Sequence, residues 1–177
     1  MTSKLSEYDM NRNTRTVALG SDHAGYELKK AISDWLKGNG WDVRDVGAPS
    51  AERADYPIYG KAAAEMVQSG ECRLGVLICG TGVGIALAAN KMRGIRCAVC
   101  SEPFTAKLAR QHNDANMLGL GARVVGPGLA LMIVEEFLNA DFEGGRHKIR
   151  VDMITQIEEE NRNGTPPSSG ARRSAAD

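Results

Sequence analysis

The sequence predicts an α/β fold, in which a five-stranded parallel sheet lies between helices in a three-layer α/β/α sandwich and one extra C-terminal helix follows. From residue 16 onward, short apolar and β-branched runs alternate with amphipathic segments of helix length, as in consecutive βαβ units. The chain has 177 residues, of which 42% are hydrophobic, and this is enough for one compact core.

Five runs punctuated by glycine predict the strands. They cover residues 16–20, 41–47, 74–79, 96–100 and 116–121. The third run, LGVLIC, carries no charged side chain, which is typical of a strand that helices cover on both faces. Parallel strands joined by helices in this way form a Rossmann-like sheet.

Six segments predict the helices. They cover residues 25–37, 57–69, 83–91, 103–111, 127–139 and 147–161. Pro57 suits the first turn of the second helix, because proline lacks an N–H that would have no intrahelical partner there. The last segment places four apolar residues on one stripe, which we expect to find no sheet face left to cover: Ile149, Met153, Ile154 and Ile157.

We expect one domain, residues 15–161, between a disordered N-terminal extension, residues 1–14, and a disordered C-terminal tail, residues 162–177. The 22 basic and 22 acidic residues balance, so no global field draws the chain to nucleic acid or to an anionic membrane. The apolar runs are far shorter than the ~20 residues of a membrane helix. The N-terminus lacks an apolar signal segment, so we expect a cytoplasmic protein with four free cysteines.

The stretch CGTGVG, residues 79–84, ends the third strand and opens the third helix. Its glycines let a ligand approach the backbone N–H groups, and the start of a helix favours negative charge. The same loop would also serve as a tight turn with Thr81 as the helix N-cap. The loop completes neither a dinucleotide fingerprint nor a Walker loop, and Ile85 stands where a tyrosine phosphatase needs an arginine.

Cys79 lies at the mouth of this helix, where the local field stabilises a thiolate. Asp22 and His23 follow the first strand, so they should lie at the same carboxyl edge, where open α/β sheets bind ligands. We expect His112 at that edge too, because it falls between a helix end and the fifth strand. These residues together predict a site.

Other charged and sulfur-containing residues point less clearly to a functional site. Arg146 and Arg150 lie four apart at the start of the last helix, where they would hold a phosphate or simply face solvent. We expect His147 to point elsewhere. Cys97 and Cys100 have the spacing of a zinc or redox half-site, but they lie in a predicted strand without a second ligand pair, which favours core packing.

Five motifs in order resemble ribose-5-phosphate isomerase type B, in the family that also includes galactose-6-phosphate isomerase subunits: SDHAG, ERADYP, LICGTGVGI, CSEPFTAKLARQHNDAN and GGRHKIRV. The similarity runs from about residue 16 to residue 160. The resemblance implies an aldose–ketose isomerase of the pentose phosphate pathway that interconverts ribose 5-phosphate and ribulose 5-phosphate without metal or cofactor. It also implies a homodimer, or a dimer of dimers, whose active site is shared between subunits.

The resemblance also implies residue roles. Cys79 would be the base that moves a proton between C1 and C2, and His112 would assist opening of the furanose ring. The loop would hold the enediolate oxygens through Gly80, Thr81, Gly82, Val83 and Gly84. Contacts with the sugar phosphate are implied for Asp22, His23, Asn113, Arg123, Arg146 and Arg150, with Tyr56 near the site. Another branch has a glutamate base at the place of Ile85, so the chain resembles the cysteine branch.

Two alternatives remain open. An isomerase of a hexose 6-phosphate, such as allose or galactose 6-phosphate, would use the same proton transfer, and the depth of the pocket would decide between the substrates. A non-catalytic sugar-phosphate-binding module would keep the glycines and arginines, but it would have no use for Cys79 together with His112.

Overall fold

The computed structural model describes residues 15–162, which form the predicted five-stranded parallel sheet. Its strands are β1 Thr16–Ser21, β2 Asp42–Asp45, β3 Leu74–Cys79, β4 Cys97–Val99 and β5 Met117–Gly121. Their order is β2-β1-β3-β5-β4, and every neighbouring pair is parallel. The direction of winding reverses between β1 and β3, so the carboxyl ends of these two strands flank the crevice where such sheets bind ligands.

Within residues 15–162, six α-helices surround the sheet: α1 Tyr26–Gly38, α2 Tyr56–Gln68, α3 Val83–Ala89, α4 Pro103–Asn113, α5 Pro127–Asn139 and α6 Arg146–Arg162. A 3-10 turn, His23–Gly25, precedes α1. Helices α1, α4 and α5 pack on one face of the sheet, and α2 and α3 pack on the other. This confirms the three layers, and α6 is the extra helix, packed against α4.

The sheet has a separate apolar core on each face. The side chains of β3 supply both, because successive residues of a strand point to opposite faces: Val76 and Ile78 join the core under α1 and α5, whereas Leu77 joins the core under α2 and α3. All six residues of β3 are buried. Burial of each large apolar side chain stabilises the fold by ~1.5–3 kcal/mol, so β3 holds its carboxyl end firmly.

Several boundaries differ from the predicted ones. Strands β2 and β4 are shorter than predicted because both are edge strands, with one neighbour each. Helix α3 ends at Ala89, whereas α4 continues to Asn113, past its predicted end. The segments predicted to be disordered lie outside the described residues, except Arg162, which belongs to α6.

Helix α6 buries few of its residues against the rest of the described chain. Its buried residues are His147 and Val151. The predicted apolar stripe is exposed, with relative exposures of 66%, 59%, 47% and 58% for Ile149, Met153, Ile154 and Ile157. Within residues 15–162, no helix combines the length and the apolar character that crossing a membrane requires.

Candidate active site

Cys79 lies at the carboxyl end of β3 and is only 5% exposed. The N–H of Gly82 donates a hydrogen bond to its Sγ at 3.1 Å. An N–H that points at sulfur suits an anionic acceptor, since hydrogen bonds to charged groups are the stronger ones. The strand end and the loop that follows thus hold the thiol in a fixed place.

The loop after Cys79 needs glycine at its third position. Gly82 has φ 80°, and a Cβ there would lie 2.8 Å from the carbonyl carbon of Leu120. Gly82, and not Thr81, is the N-cap of α3, and the Thr81 hydroxyl instead accepts from the N–H of Val83 at 3.4 Å. Helix α3 has only seven residues, so its dipole is small. An anion at this site would therefore be bound mainly by backbone N–H groups of the loop.

Asp22 and His23 lie beside this loop, as predicted. The N–H of Asp22 donates to the carbonyl oxygen of Ile78, and the Asp22 carboxylate accepts from the N–H of Gly25 at 3.1 Å. The Nδ1 atom of His23 lies 3.1 Å from the carbonyl oxygen of Ala54 and 3.2 Å from its amide nitrogen. His23 therefore ties the end of β1 to the segment that leads into α2.

Tyr56 and Arg123 close two sides of the loop. A Cβ on Gly84 would come within 2.8 Å of the Tyr56 ring, so the ring lies directly against the backbone at Gly84. The Arg123 N–H donates to the carbonyl oxygen of Gly80 at 3.0 Å, and its guanidinium lies over Gly80. We call the residues gathered here the Cys79 group: Asp22, His23, Tyr56, Cys79, Gly80, Thr81, Gly82, Val83, Gly84 and Arg123.

His112 does not lie at this edge of the sheet, and our prediction that it does was wrong for a single chain. It belongs to the last turn of α4, a helix that starts after β4 and runs back to the amino ends of the strands. Asn116, just beyond it, accepts at its carbonyl oxygen from the N–H of Gly75, at the start of β3. Gly75 and Cys79 are four residues apart in a strand, or about 13 Å.

His112 instead contacts two residues near the start of α6. Its ring stacks on that of His147, with centroids 4.1 Å apart and an interplanar angle of 3°. An Oε2 atom of Glu143 lies 3.8 Å from Nε2 of His112 and 3.7 Å from Nε2 of His147. His147 therefore points at the predicted site residue and not elsewhere, which corrects our expectation from the sequence.

The surroundings of His147 disfavour a positive charge on its ring. Burial lowers the pKa of His147 below its usual 6.5, and the neighbouring His112 and Arg146 lower it further, against the opposing effect of Glu143. His147 is therefore a neutral ring at pH 7.

The other predicted cations lie beside this pair. Arg146 and Arg150 are exposed on the first turns of α6, and Nε of Arg146 lies 3.4 Å from Nε2 of His147. Asn113 lines a cavity of about 630 Å³ between β4 and α6. We call these residues the His112 group: His112, Asn113, Glu143, Arg146, His147 and Arg150.

Asp114 fixes the turn that ends α4, and sequence reasoning missed it. It has φ 46°, in the left-handed region that non-glycine residues rarely adopt. Its carboxylate pairs with Arg96 and with Arg110, each at 2.9 Å, and Arg110 also donates to the carbonyl oxygen of Ala115. An aspartate directly after the helix, four residues after an arginine, was the available signal.

His112, Glu143 and His147 offer three metal-ligating atoms within 4.8 Å of one another. A metal ion must lie near the plane of each imidazole that binds it, along the nitrogen lone pair. The two rings are parallel, so both would have to tilt before one ion could bind them together. As stacked, the three residues suit proton chemistry better than metal binding.

The remaining cysteines are packing residues. Burial raises the pKa of Cys72 to about 11, that of Cys97 to about 12 and that of Cys100 to about 11. Cys100 belongs to the core under α1 and α5, and Cys97 packs against the other core. The CAVC spacing therefore reflects core packing, as predicted, and Cys72 is also buried.

Comparisons with known proteins identify the relatives of this chain. The sequence profile of the Ribose/Galactose Isomerase family matches residues 17–154. Ribose-5-phosphate isomerase B of Escherichia coli is 54% identical over 145 residues, which are 82% of this chain and 97% of the relative. A putative sugar phosphate isomerase of Bacillus subtilis is 44% identical over 146 residues, 82% of this chain and 98% of the relative.

Solved structures give the same answer for the fold. Ribose-5-phosphate isomerase B of Clostridium thermocellum superimposes with a TM-score of 0.82 at 53% identity, over 82% of this chain and 99% of that chain. The enzyme of Mycoplasma genitalium with bound ribulose 5-phosphate superimposes with a TM-score of 0.78 at 44% identity, over 82% of this chain and 97% of that chain. The chain therefore belongs to the ribose/galactose isomerase family.

Proposed function

We propose that the chain interconverts ribose 5-phosphate and ribulose 5-phosphate by a proton transfer at Cys79. The observation that carries the proposal is the position of the Cys79 thiol. The Gly82 N–H holds it at the end of β3, beside the glycine loop that leads into α3. Relatives with about half of their residues identical bear the name ribose-5-phosphate isomerase B.

The proton transfer balances without a cofactor. The thiolate of Cys79 takes the proton from C2 of the open-chain aldose, and the electron pair of the broken C–H bond moves into the C1–C2 bond, leaving negative charge on O1. The amides of Gly80, Thr81 and Gly84 stabilise this charge, since those of Gly82 and Val83 donate to Cys79 Sγ and to the Thr81 hydroxyl. Each well-placed donor contributes roughly 3 kcal/mol to the lowering of the barrier. The thiol then returns the proton to C1, the proton on O2 passes to O1, and the electron pair of the O2–H bond forms the C2 carbonyl, which gives the ketose and restores the thiolate.

The His112 group completes the site from a second copy of the chain. In this proposal His112 moves the protons that open the furanose ring, and the guanidinium groups of Arg146 and Arg150 bind the phosphate. Within one chain, His112 and Cys79 lie at opposite ends of the strands, because the segment just after His112 pairs with the start of β3 whereas Cys79 is its last residue. A twofold-symmetric dimer would bring the Cys79 group of each chain to the His112 group of the other, which gives two identical sites.

The exposed stripe of α6 supports a dimer. The stripe begins at Ile149, between Arg146 and Arg150 on the same helix. Burial of the stripe against a second copy would therefore place both arginines at the interface. A stable contact of ordinary size buries ~1,600 Å² in total. Pairing of such dimers into a tetramer is compatible with this surface. We also place the protein in the cytoplasm, where its four free cysteines stay reduced.

A steady-state assay tests the reaction. We expect the purified protein to convert ribose 5-phosphate to the ketose, and Cys79→Ala to lose more than about 99% of turnover while it still binds the sugar phosphate. Cys97→Ala is the matched control, a cysteine away from the loop, and it should keep most of the activity. If Cys79→Ala keeps more than about a tenth of the turnover, a loss of under ~1.4 kcal/mol, Cys79 is not the base.

The same assay separates the alternatives. Faster conversion of allose or galactose 6-phosphate than of ribose 5-phosphate would make the chain a hexose phosphate isomerase. Binding of all three sugars without turnover of any would make it a non-catalytic binding module.

A further inference from the structure

The structure places two residues against His112 that sequence reasoning gave no role, Glu143 and His147. We propose that Glu143 and His147 are positioning residues for His112, which hold its imidazole in the orientation that ring opening requires. The inference rests on the proposed function, because it concerns the ring-opening step of that reaction.

The backbone brings both residues to His112 by a specific turn. The N–H of Glu143 donates to the carbonyl oxygen of Gln111, the residue before His112, at 3.0 Å. Gly144 and Gly145 follow with φ of 67° and 53°, a pair of left-handed conformations that glycine adopts without strain. The N–H of His147 then donates back to the carbonyl oxygen of Gly144. The turn thus sets Glu143 and His147 on the same side, facing α4.

Two contacts limit the motion of the His112 ring. The face of His147 covers one side of it at 4.1 Å, which fixes the ring plane. The Glu143 carboxylate lies 3.8 Å from its Nε2, which fixes the edge that faces the acid. The side chain of His147 is 11% exposed and that of His112 is 34% exposed, so the stacking partner is the more firmly packed of the two.

The charges around the pair suit this arrangement. His147 is neutral at pH 7, so it stacks on His112 without charge repulsion when His112 takes up a proton during ring opening. Glu143 offers the charge that balances such a proton, while Arg146 and Arg150 are the cations that face the pair from α6. At 3.8 Å the carboxylate is in ion-pair range but beyond a hydrogen bond, a contact that tightens when the ring is protonated.

A double-mutant cycle on ribose 5-phosphate tests whether Glu143 acts through His112. We expect Glu143→Gln to lower kcat/KM about tenfold and His112→Ala about a hundredfold, within the range for acid–base groups. The double variant should then match His112→Ala alone within about twofold. Independent losses, which multiply to about a thousandfold, would overturn the proposal. Glu27→Gln, an exposed carboxylate of α1 paired with Lys30, is the matched control and should change nothing.

A second substrate shows which step is affected. The aldehyde 4-deoxyribose 5-phosphate has no O4 hydroxyl and its O5 is esterified, so it cannot close a ring. We expect Glu143→Gln to leave kcat/KM on this aldehyde within about twofold of the wild type, while the loss on ribose 5-phosphate persists. Equal losses on the two substrates would assign Glu143 to a later step and would overturn the proposal.

For His147, the stacking surface is the feature to vary. We expect His147→Ala to lower kcat/KM on ribose 5-phosphate about tenfold and His147→Phe, which keeps a flat ring, to restore most of it. If His147→Phe is as slow as His147→Ala although both variants melt like the wild type, stacking does not position His112. A wild-type protein that fails to turn over ribose 5-phosphate would refute the proposed function itself, before either variant is measured.

Discussion

The separation of the Cys79 group from the His112 group predicts that two inactive variants restore each other's activity. The segment just after His112 pairs with Gly75, which lies about 13 Å along β3 from Cys79. In the proposed function, a working site combines Cys79 of one chain with His112 of another. In a mixed dimer of Cys79→Ala and His112→Ala chains, one site carries both substitutions and the other carries neither.

The expected magnitude follows from symmetry. Random exchange at equal concentrations makes about half of the dimers mixed, and each mixed dimer has one intact site of two, so about a quarter of wild-type activity returns. The assay mixes chains with two different affinity tags, exchanges subunits by dilute denaturation and refolding, and measures turnover of doubly purified dimers, which should reach about half of the wild-type value.

A matched pair of variants gives the control. Arg123 belongs to the Cys79 group, so Cys79→Ala and Arg123→Ala damage the same half-site, and their mixed dimers have a defect in both sites. Those dimers should recover no activity. Purified dimers of Cys79→Ala and His112→Ala that also stay inactive, or a wild-type protein that is monomeric at micromolar concentration while fully active, would refute the shared site.

Four further outcomes follow from the described contacts. Gly82→Ala should lose about 2–4 kcal/mol of stability from a left-handed alanine and a clash with backbone, whereas Gly38→Ala, with open space around its Cβ, should not, as measured by urea unfolding. Iodoacetamide at pH 7.5 should modify Cys79 before the three cysteines whose pKa burial raises, as peptide mass mapping will show: Cys72, Cys97 and Cys100. Exhaustive treatment with EDTA should leave turnover unchanged, and restoration by a divalent ion after a loss would contradict the metal-free mechanism. The pKa of His147 is lowered in the folded chain, so as the pH falls below 6.5 the unfolded chain binds a proton at this residue more readily than the folded chain does. Tm should therefore fall from pH 7 to pH 5.5, and it should fall less in His147→Phe.

The buried strands and the Cys79 group were predictable because their signals are local. Strand β3 is apolar throughout, and its bounds match the prediction. Cys79 ends this strand and the glycine loop directly follows it, while Asp22 directly follows β1, so the parallel direction of the two strands was enough to bring them together. The edge strands were predicted too long because their ends depend on a single neighbour.

The place of His112 follows from the direction of the strands, whereas the exact end of α4 is decided by tertiary contacts. The prediction ended the helix at residue 111 and put His112 in a loop. The helix continues because Asp114 takes a left-handed conformation that its ion pairs with Arg96 and Arg110 support. Whether it is helical or in a loop, a residue between a helix and the parallel strand that follows lies at the amino edge of the sheet. The boundary error of two residues therefore had no effect on the position of His112, and the expectation failed because it assigned this connection to the carboxyl edge.

Helix α6 links assembly to chemistry in the proposed dimer. The helix presents two different sides, since its buried residues are His147 and Val151 while the stripe from Ile149 to Ile157 is exposed, with Ile154 and Ile157 lining the cavity beside β4. His147 touches His112 from within the same chain, so in the proposed dimer the orientation of His112 does not depend on the partner. In that dimer, the second copy that covers the stripe would also bring the arginines of the same helix to its substrate. On this view each chain carries two preformed half-sites, and association adds no new catalytic geometry beyond bringing unlike halves together.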